Sequence, residues 1–160
     1  MSQKIIGSAF FNDKKIKGEI IFTQLDSKSV HISIRLSGFK KNKIHAMHIH
    51  EAGDLSDHCA STCAHFNPYN KNHGGLHSKE RHVGDLGDIY SDKDGNVNLE
   101  FVDHQIKLSG TKRNIIGRAV VIHADKDDNG LGGFEDSLTT GHAGARIACA
   151  VIGYSKKMFA

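Results

Sequence analysis

Alternation of apolar and polar residues with a period of two is the main pattern along this chain. Segment 30–36 carries an apolar side chain at every second position, and segment 97–101 does the same. This period is typical of strands with one buried face. Turn-forming pairs such as Asn12-Asp13 and Ser109-Gly110 separate the segments. The pattern predicts strands over residues 3–10, 16–23, 28–37, 42–50, 84–90, 95–103, 115–122 and 145–153.

Regular short strands between turns favour an all-β antiparallel sandwich or barrel. The sequence predicts no helix. The chain has 160 residues, which fits a single domain over residues 1–160 without a linker or an internal repeat. Segments 51–83 and 124–144 do not fit a strand pattern, and loops of this length in a compact domain are usually functional or disordered.

Composition narrows the class of protein. Hydrophobic residues make up 38% and charged residues 24%, and no stretch approaches the ~20 apolar residues of a spanning helix, so neither disorder nor a membrane protein is predicted. The net charge is only +3. We interpret the basic cluster of Lys40, Lys41 and Lys43 as a solvated turn, and we expect no nucleic-acid partner. The unusual feature is the presence of 12 histidines.

The N-terminal segment and the cysteines indicate the compartment. The apolar stretch before Asn12 is short and is interrupted by Gly7 and Ser8, so we expect no secretory signal and a cytoplasmic protein. The spacing of Cys59 and Cys63 alone is a weak cue for zinc or redox chemistry. In a cytosolic protein, reduced thiols are the simpler interpretation.

Potential metal ligands begin at the end of the fourth predicted strand. Alternation places His48 and His50 on the same face, about 6–7 Å apart along the backbone. Two imidazoles at this spacing can bind one metal, but they can equally be polar residues on a solvated face. The pair alone does not decide between these alternatives.

Further ligand types follow in the first long segment. They are spaced so that a loop bending at Gly74-Gly75 and Gly84 could bring them together. A further histidine, His123, lies at the end of the segment with the strongest strand pattern. Two four-coordinate metals need eight ligand positions, so seven residues suffice if one imidazole uses both nitrogens. Histidine with aspartate suits zinc, whereas an all-imidazole site suits copper and other late transition metals. The loop residues concerned are His65, His73, His82 and Asp85.

In this arrangement the sequence resembles the copper/zinc superoxide dismutase family in its eukaryotic form, over nearly the whole chain. The motifs that carry the resemblance are His48-Ile49-His50-Glu51-Ala52-Gly53-Asp54, His65-Phe66-Asn67-Pro68, His73-Gly74-Gly75, Arg81-His82-Val83-Gly84-Asp85-Leu86-Gly87, Ile115-Ile116-Gly117-Arg118, His123 and Gly144-Ala145-Arg146-Ile147-Ala148-Cys149.

The resemblance implies a flattened eight-stranded Greek-key barrel with two long functional loops. It also implies disproportionation of superoxide to oxygen and hydrogen peroxide by copper(II)/copper(I) cycling, with one copper and one zinc per subunit. The implied copper ligands are His48, His50, His65 and His123. The implied zinc ligands are His65, His73, His82 and Asp85.

The same resemblance assigns roles around the metals. His65 would bridge them and carry a proton, Arg146 would hold the superoxide anion, and Asp127 would hydrogen-bond to a ligand of each metal. Glu135, Asp136 and Thr140 match positions that guide the anion. Thr139 stands where the family often has a lysine, so we expect weaker electrostatic steering.

The resemblance also implies a disulfide and partner molecules. Cys59 and Cys149 match the family's intrasubunit disulfide, which overrides the expectation of reduced thiols. Cys63 has no such partner, and it is either a free thiol or a competitor of Cys59. A homodimer is implied, although Ala52 and Tyr154 depart from the usual contact residues. A copper chaperone is a possible partner.

The alternative function is a non-catalytic member of the same fold that buffers copper and zinc or acts as a decoy. Loss of a copper ligand or of Arg146 would favour it, and neither is lost. A plain sandwich binding module does not account for the ordered ligands. The remaining histidines are expected to face solvent: His31, His45, His58, His77, His104 and His142.

Overall fold

The computed structural model describes residues 2–160, and almost all of its regular structure is β-strand. Within these residues there are nine strands, one single-turn α-helix, and 3-10 turns at Ala60–Thr62 and Lys156–Met158. The elements are β1 (Ile6–Asn12), β2 (Lys17–Gln24), β3 (Val30–Ser37), β4 (Ile44–His50), β5 (Ser56–Cys59), β6 (Asp85–Tyr90), β7 (Val97–Asp103), β8 (Ala119–His123), α1 (Ser137–Thr140) and β9 (Arg146–Tyr154).

Eight of the strands form one antiparallel sheet in the order β6-β4-β8-β9-β1-β2-β3-β7. The chain runs β1-β2-β3 between neighbours, but β4 then pairs with β6 and β8 on the other side of the fold. The sheet curls into a nearly closed barrel with Greek-key connections. The prediction of an all-β antiparallel barrel is confirmed.

The core is filled by the apolar side chains that the alternation selects. Val30, Ile32 and Ile34 of β3 are fully buried, and they pack with Phe11 of β1 and Phe22 of β2. Burying one such side chain stabilises the fold by roughly 1.5–3 kcal/mol relative to leaving it exposed. The period of two along each strand therefore reports which face of the sheet is internal.

The strand predicted over 115–122 starts later than expected. Residues 115–118 form a turn in which the N–H of Arg118 donates to the carbonyl of Ile115 at 3.1 Å, and Gly117 has φ 86°. Positive φ favours glycine and interrupts the extended backbone. The strand β8 is therefore confined to Ala119–His123, although Ile115 and Ile116 have high strand propensity.

Both long loops contain short regular elements that the pattern did not predict. Strand β5 lies in the first loop, and α1 lies in the second, where it ends at Gly141 with φ 71°. One turn of helix is too short to produce a helical period in the sequence. Within residues 2–160, no helix has the length and apolar character needed to cross a membrane.

Candidate metal centre

Strand β4 positions the first two histidines beside the returning first loop. The N–H of Phe66 donates to the carbonyl of Ile49 at 2.8 Å, and His50 forms an isolated β-bridge with His65. Gly84 lies against the same stretch of β4, where an added Cβ would collide with the carbonyl oxygen of Ile49. These contacts hold both ends of the loop against the strand.

Four imidazoles form a first ligand group. One nitrogen from each of His48, His50, His65 and His123 lies within 4.8 Å of the others. The Nδ1 atoms of His50 and His123 face the carbonyl oxygens of Cys63 and Gly144, at 2.9 and 3.2 Å. Since a carbonyl only accepts, both Nδ1 atoms carry the hydrogen. Their Nε2 lone pairs therefore face each other across 3.4 Å.

Unpartnered nitrogens in this group indicate a metal. Nδ1 of His48 and Nε2 of His65 are buried, and neither has a hydrogen-bond partner among the described residues. A buried polar atom without a partner is costly, and most such atoms in native proteins are satisfied. A late transition metal bound by four imidazole nitrogens would satisfy these atoms. The donor set suits copper.

A second ligand group surrounds Asp85. Its Oδ1 lies 3.0 Å from Nδ1 of His65 and 3.2 Å from Nδ1 of His82, and its Oδ2 lies 3.0 Å from Nδ1 of His73. Despite that distance, Nδ1 of His73 has no aligned hydrogen bond within the described chain. One ligand atom from each of His48, His65, His73 and Asp85 lies within 4.8 Å of the others, and His82 contacts this group through Asp85 and His65. A carboxylate surrounded by imidazoles suits tetrahedral zinc.

His65 belongs to both groups. It is buried, its Nδ1 faces Asp85 and His82, and its Nε2 belongs to the all-imidazole side. With both ring nitrogens as ligands, the seven predicted residues would supply the eight ligand positions of two four-coordinate metals.

Asp127 forms a hydrogen bond with one histidine of each group. Its two carboxylate oxygens each lie 2.7 Å from an Nε2 atom, one of His48 and one of His73. These bonds place the hydrogens on Nε2 and leave Nδ1 of both rings for a metal. Gly141 packs over the pair, because an added Cβ would collide with Asp127 and His73.

Electrostatics keep the first group unprotonated near neutral pH. Burial lowers the pKa of its rings from 6.5, and the neighbouring His65 adds to the effect, giving about 3 for His48, about 2 for His50 and about 4 for His123. Burial also acts to lower the pKa of His73, but the carboxylates of Asp127 and Asp85 outweigh it and raise the pKa to about 9. The rings of the first group are therefore in the neutral form that binds metal.

Arg146 begins β9 next to the first group and pairs in register with His123. Its Nη1 donates to the carbonyl of Cys59 at 2.9 Å and to Oγ1 of Thr62 at 3.1 Å. Thr62 is fully buried and is a positioning residue that sequence reasoning missed. The guanidinium is thereby fixed at one corner, and its other donors remain available to a small anion.

The predicted disulfide between Cys59 and Cys149 is confirmed. It joins the first loop to β9 across a sequence separation of 90 residues. Among residues 2–160 the free cysteine is Cys63, which is exposed.

The predicted anion-guiding residues lie around α1. Glu135 and Thr140 are exposed, and Oγ1 of Thr140 donates to Oδ2 of Asp136 at 3.1 Å. Thr139 is also exposed. The loop is tied to the metal centre by the N–H of His73, which donates to the carbonyl of Leu138 at 2.9 Å.

The expectation that His45 faces solvent is wrong. The residue is 6% exposed, and its Nδ1 lies 2.8 Å from the carbonyl oxygen of His123. Alternation along β4 places His45 on the same face as Met47 and Ile49, and this pattern indicated burial. The polar side chain of His45 led to the opposite expectation. His58, His77, His104 and His142 are exposed, and His31 is half-buried.

A buried ion pair supports the second ligand group and was also missed. Nη1 of Arg81 lies 2.9 Å from Oδ1 of Asp103, and both side chains are almost fully buried. Arg81 precedes the predicted ligand His82, but the partner of Arg81 lies 22 residues away, and no local pattern indicates the pairing.

Comparisons with known proteins agree with this geometry. The family model described as copper/zinc superoxide dismutase (SODC) matches residues 16–152. A Cu-Zn superoxide dismutase of Paramecium bursaria Chlorella virus 1 is 58% identical over 144 residues, covering 90% of this chain and 76% of the relative. A Candida albicans Cu-Zn superoxide dismutase is 48% identical over 145 residues, covering 90% and 94%.

Two further comparisons extend the range of relatives. An extracellular Cu-Zn superoxide dismutase of Drosophila melanogaster is 46% identical over 150 residues, covering 93% of this chain and 82% of the relative. The crystal structure of the clock protein EA4 superposes with a TM-score of 0.91 at 42% identity, covering 97% of this chain and 98% of that one. The chain therefore belongs to the copper/zinc superoxide dismutase family, whose members are oxidoreductases.

Proposed function

We propose that this protein, acting as a single domain, is a superoxide dismutase that converts two superoxide anions into oxygen and hydrogen peroxide. The observation that carries the proposal is a group of four imidazoles beside a second group around Asp85, with His65 in both and with buried nitrogens left unpartnered within the described residues. The relatives that are named as superoxide dismutases support the same reaction.

The two groups would hold different metals. When bound, copper supplies one-electron redox chemistry, whereas zinc has no redox chemistry of its own. We assign copper to four nitrogens, Nδ1 of His48 and Nε2 of His50, His65 and His123. We assign zinc to Nδ1 of His65, His73 and His82 and to the carboxylate of Asp85.

Arg146 would bind the substrate. Superoxide is a small anion, and a planar guanidinium held by Cys59 and Thr62 gives it a fixed positive partner. Its charge would favour the anion over neutral oxygen, which is one product. Glu135, Asp136 and Thr140 would shape the potential along the approach.

His65 would handle the proton. Its Nδ1 stays among Asp85 and His82, and this contact orients the ring. When Nε2 is not bound to copper, this buried atom can hold a proton and pass it to the reduced substrate, because peroxide leaves as hydrogen peroxide. Asp127 keeps the neighbouring rings of His48 and His73 in the required tautomer.

Metal reconstitution tests the proposal. We would load the purified chain with copper and zinc, determine both metals by mass spectrometry, and follow superoxide consumption before and after loading. The proposal expects one copper and one zinc per chain and activity that requires copper. Full occupancy without activity would instead support the metal-buffering alternative.

A homodimer is proposed for the assembled enzyme. Val151 and Tyr154 on β9 expose apolar side chains, and the half-buried Ile116 packs against the nearby Gly7. Sedimentation velocity at several concentrations tests this proposal, and a monomer at all concentrations would contradict it. The copper chaperone stays a prediction. The cytoplasmic location also stays a prediction, since the Drosophila relative is named as extracellular.

A further inference from the structure

The connection between β7 and β8 carries a group of cations that belongs to neither ligand group. Nζ of Lys112 and the guanidinium carbon of Arg113 each lie 5.2 Å from the centre of the Tyr69 ring. The charge of Lys107 also acts on the Tyr69 hydroxyl. Two cations on one ring are an arrangement that the ring itself stabilises. We call Tyr69, Lys107, Lys112 and Arg113 the cationic cluster.

Backbone hydrogen bonds hold the cationic cluster in place. The N–H of Lys107 donates to the carbonyl of Arg113 at 3.0 Å, and the N–H of Ile115 donates to the carbonyl of Lys107 at 3.0 Å. Nδ2 of Asn114 donates to the carbonyl of Gly110 at 3.1 Å and closes the turn between these segments. The like charges therefore stay close to one another although they repel.

The repulsion is not balanced by acidic side chains. In the part of the chain that the structure describes, no carboxylate forms a salt bridge with Lys107, Lys112 or Arg113. The hydrogen bond from Arg113, followed by the charges of Arg113, Lys112 and Lys107, lowers the pKa of Tyr69. The potential around the Tyr69 hydroxyl is therefore positive, and it favours a bound anion.

Several hydrogen-bond donors of the cationic cluster remain available. Nε of Arg113 donates to the hydroxyl oxygen of Tyr69 at 3.0 Å, so this oxygen acts as the acceptor and the phenolic hydrogen is left to donate elsewhere. None of the residues 2–160 accepts from that hydroxyl, from the Nη atoms of Arg113 or from Nζ of Lys112. These donors lie around one tyrosine ring, and a single ligand with several acceptor oxygens can therefore engage them together.

A cleft of about 420 Å³ adjoins the cationic cluster and shares Lys112 with it. Glu51 is the one carboxylate among its lining residues, and the lining residue Arg118 offsets that charge. Nη1 of Arg118 donates to the backbone carbonyl of Glu51 at 2.8 Å, and its guanidinium lies 3.7 Å from the centre of the Phe66 ring. The cleft gives room for a group attached to an anion at Tyr69.

We propose that the cationic cluster binds a phosphate group, either as free phosphate or as the head of a phosphate monoester. A phosphate monoester carries a charge of about −1.5 to −2 near neutral pH and three strong acceptor oxygens. The Nη atoms of Arg113 would pair with two of these oxygens, and the Tyr69 hydroxyl and Lys112 would donate to the third. A carboxylate has one charge and two oxygens, so it would engage fewer of these donors.

Nuclear magnetic resonance titration of the copper/zinc-loaded, reduced protein at constant ionic strength tests the proposal. With inorganic phosphate as the probe, we expect saturable amide shifts at Tyr69, Lys112 and Arg113, with a dissociation constant on the order of 1 mM. Acetate should bind at least about tenfold more weakly. Phenyl phosphate distinguishes the two sources, because tighter binding than that of phosphate identifies an ester as the ligand, whereas equal or weaker binding identifies free phosphate.

Variants of the cationic cluster with a matched control complete the test. The double variant Lys112→Gln/Arg113→Gln should weaken phosphate binding about tenfold or more. Tyr69→Phe keeps the ring but loses the hydroxyl, and it should weaken binding about three- to tenfold. The control Lys17→Gln/Arg35→Gln removes the same charge from exposed positions of β2 and β3 and should leave the affinity unchanged.

The amide spectra of the variants report whether the fold is intact. The proposal is overturned by an absence of saturable shifts, by shifts confined to the surroundings of Arg146, by equal affinity for phosphate and acetate, or by an equal loss of affinity in the control variant.

Discussion

Replacing Arg81 by alanine should destabilise the protein far more than the same change at an exposed arginine. The guanidinium donates to Oδ1 of Asp103 at 2.9 Å and to the carbonyls of Leu76, His82 and Val83 at 3.0, 3.2 and 3.1 Å. It therefore holds together the part of the first loop that contains the proposed zinc ligands, and it anchors that part to the end of β7.

The magnitude follows from what the substitution leaves behind. Removing one partner of a buried ion pair costs about 3–5 kcal/mol, because the other charge stays buried and uncompensated. Oδ2 of Asp103 would still accept the N–H groups of Gln105 and Ile106, both at 2.9 Å. We therefore expect the lower end, about 3 kcal/mol, which corresponds to a decrease in Tm of about 6–12 °C for a domain of this size.

Urea unfolding of the metal-free, disulfide-intact protein measures this loss without a contribution from metal binding. The matched control is Arg35→Ala, which removes an exposed pair in which the side chains of Arg35 and Glu100 are 51% and 54% exposed and 3.7 Å apart. We expect a change of about 0–1 kcal/mol for the control. If the two variants lost equal stability, the structural role assigned to Arg81 would be refuted.

Three further predictions concern the metal centre and the approach to it. Asp127→Asn should weaken zinc binding about 10–100-fold in a chelator competition, because the link to two ligand rings is lost. Thr139→Lys should raise kcat/KM at low ionic strength and make it more salt-dependent in stopped-flow assays. Stability of the metal-free protein should fall as pH drops below about 6.5, by up to about 4 kcal/mol per pH unit, since three rings that stay neutral in the fold take up protons in the unfolded chain. Those rings are His48, His50 and His123.

Controls make each of these results decisive. Asp125→Asn changes an exposed carboxylate and should leave zinc affinity unchanged, so equal losses in the two variants would argue against the role of Asp127. Thr139→Gln has no charge and should leave the salt dependence as it is. The pH prediction fails if urea midpoints at pH 7 and pH 5 are the same.

The strands were predictable because the barrel has one internal face. Along β3 the buried positions Val30, Ile32 and Ile34 alternate with more exposed residues, and this periodicity is visible without any tertiary information. At Ile115–Arg118 strand propensity failed, because the conformation of Gly117 decides the local structure. The single turn of α1 depends on its contacts with the first loop, and those contacts leave no periodic pattern in the sequence.

The ligand residues were predictable as residue types in order, and the resemblance supplied their pairing. Contacts between distant segments were not predictable in the same way. The partner of Arg81 is in β7, and Thr62 acquires its role only because Arg146 of β9 lies within hydrogen-bond distance of it in the fold. His45 was assigned by its polarity, whereas the buried position of β4 between β6 and β8 determines its environment.

The most direct test of the central claim is the product stoichiometry of the copper/zinc-loaded protein. Superoxide would be generated in a measured pulse, and oxygen and hydrogen peroxide would be quantified as it disappears. The account predicts one oxygen and one hydrogen peroxide for every two superoxide anions, with Arg146→Ala slowing the reaction at unchanged metal content. Superoxide decay at the uncatalysed rate with both metals bound, or peroxide formed without oxygen, would contradict it.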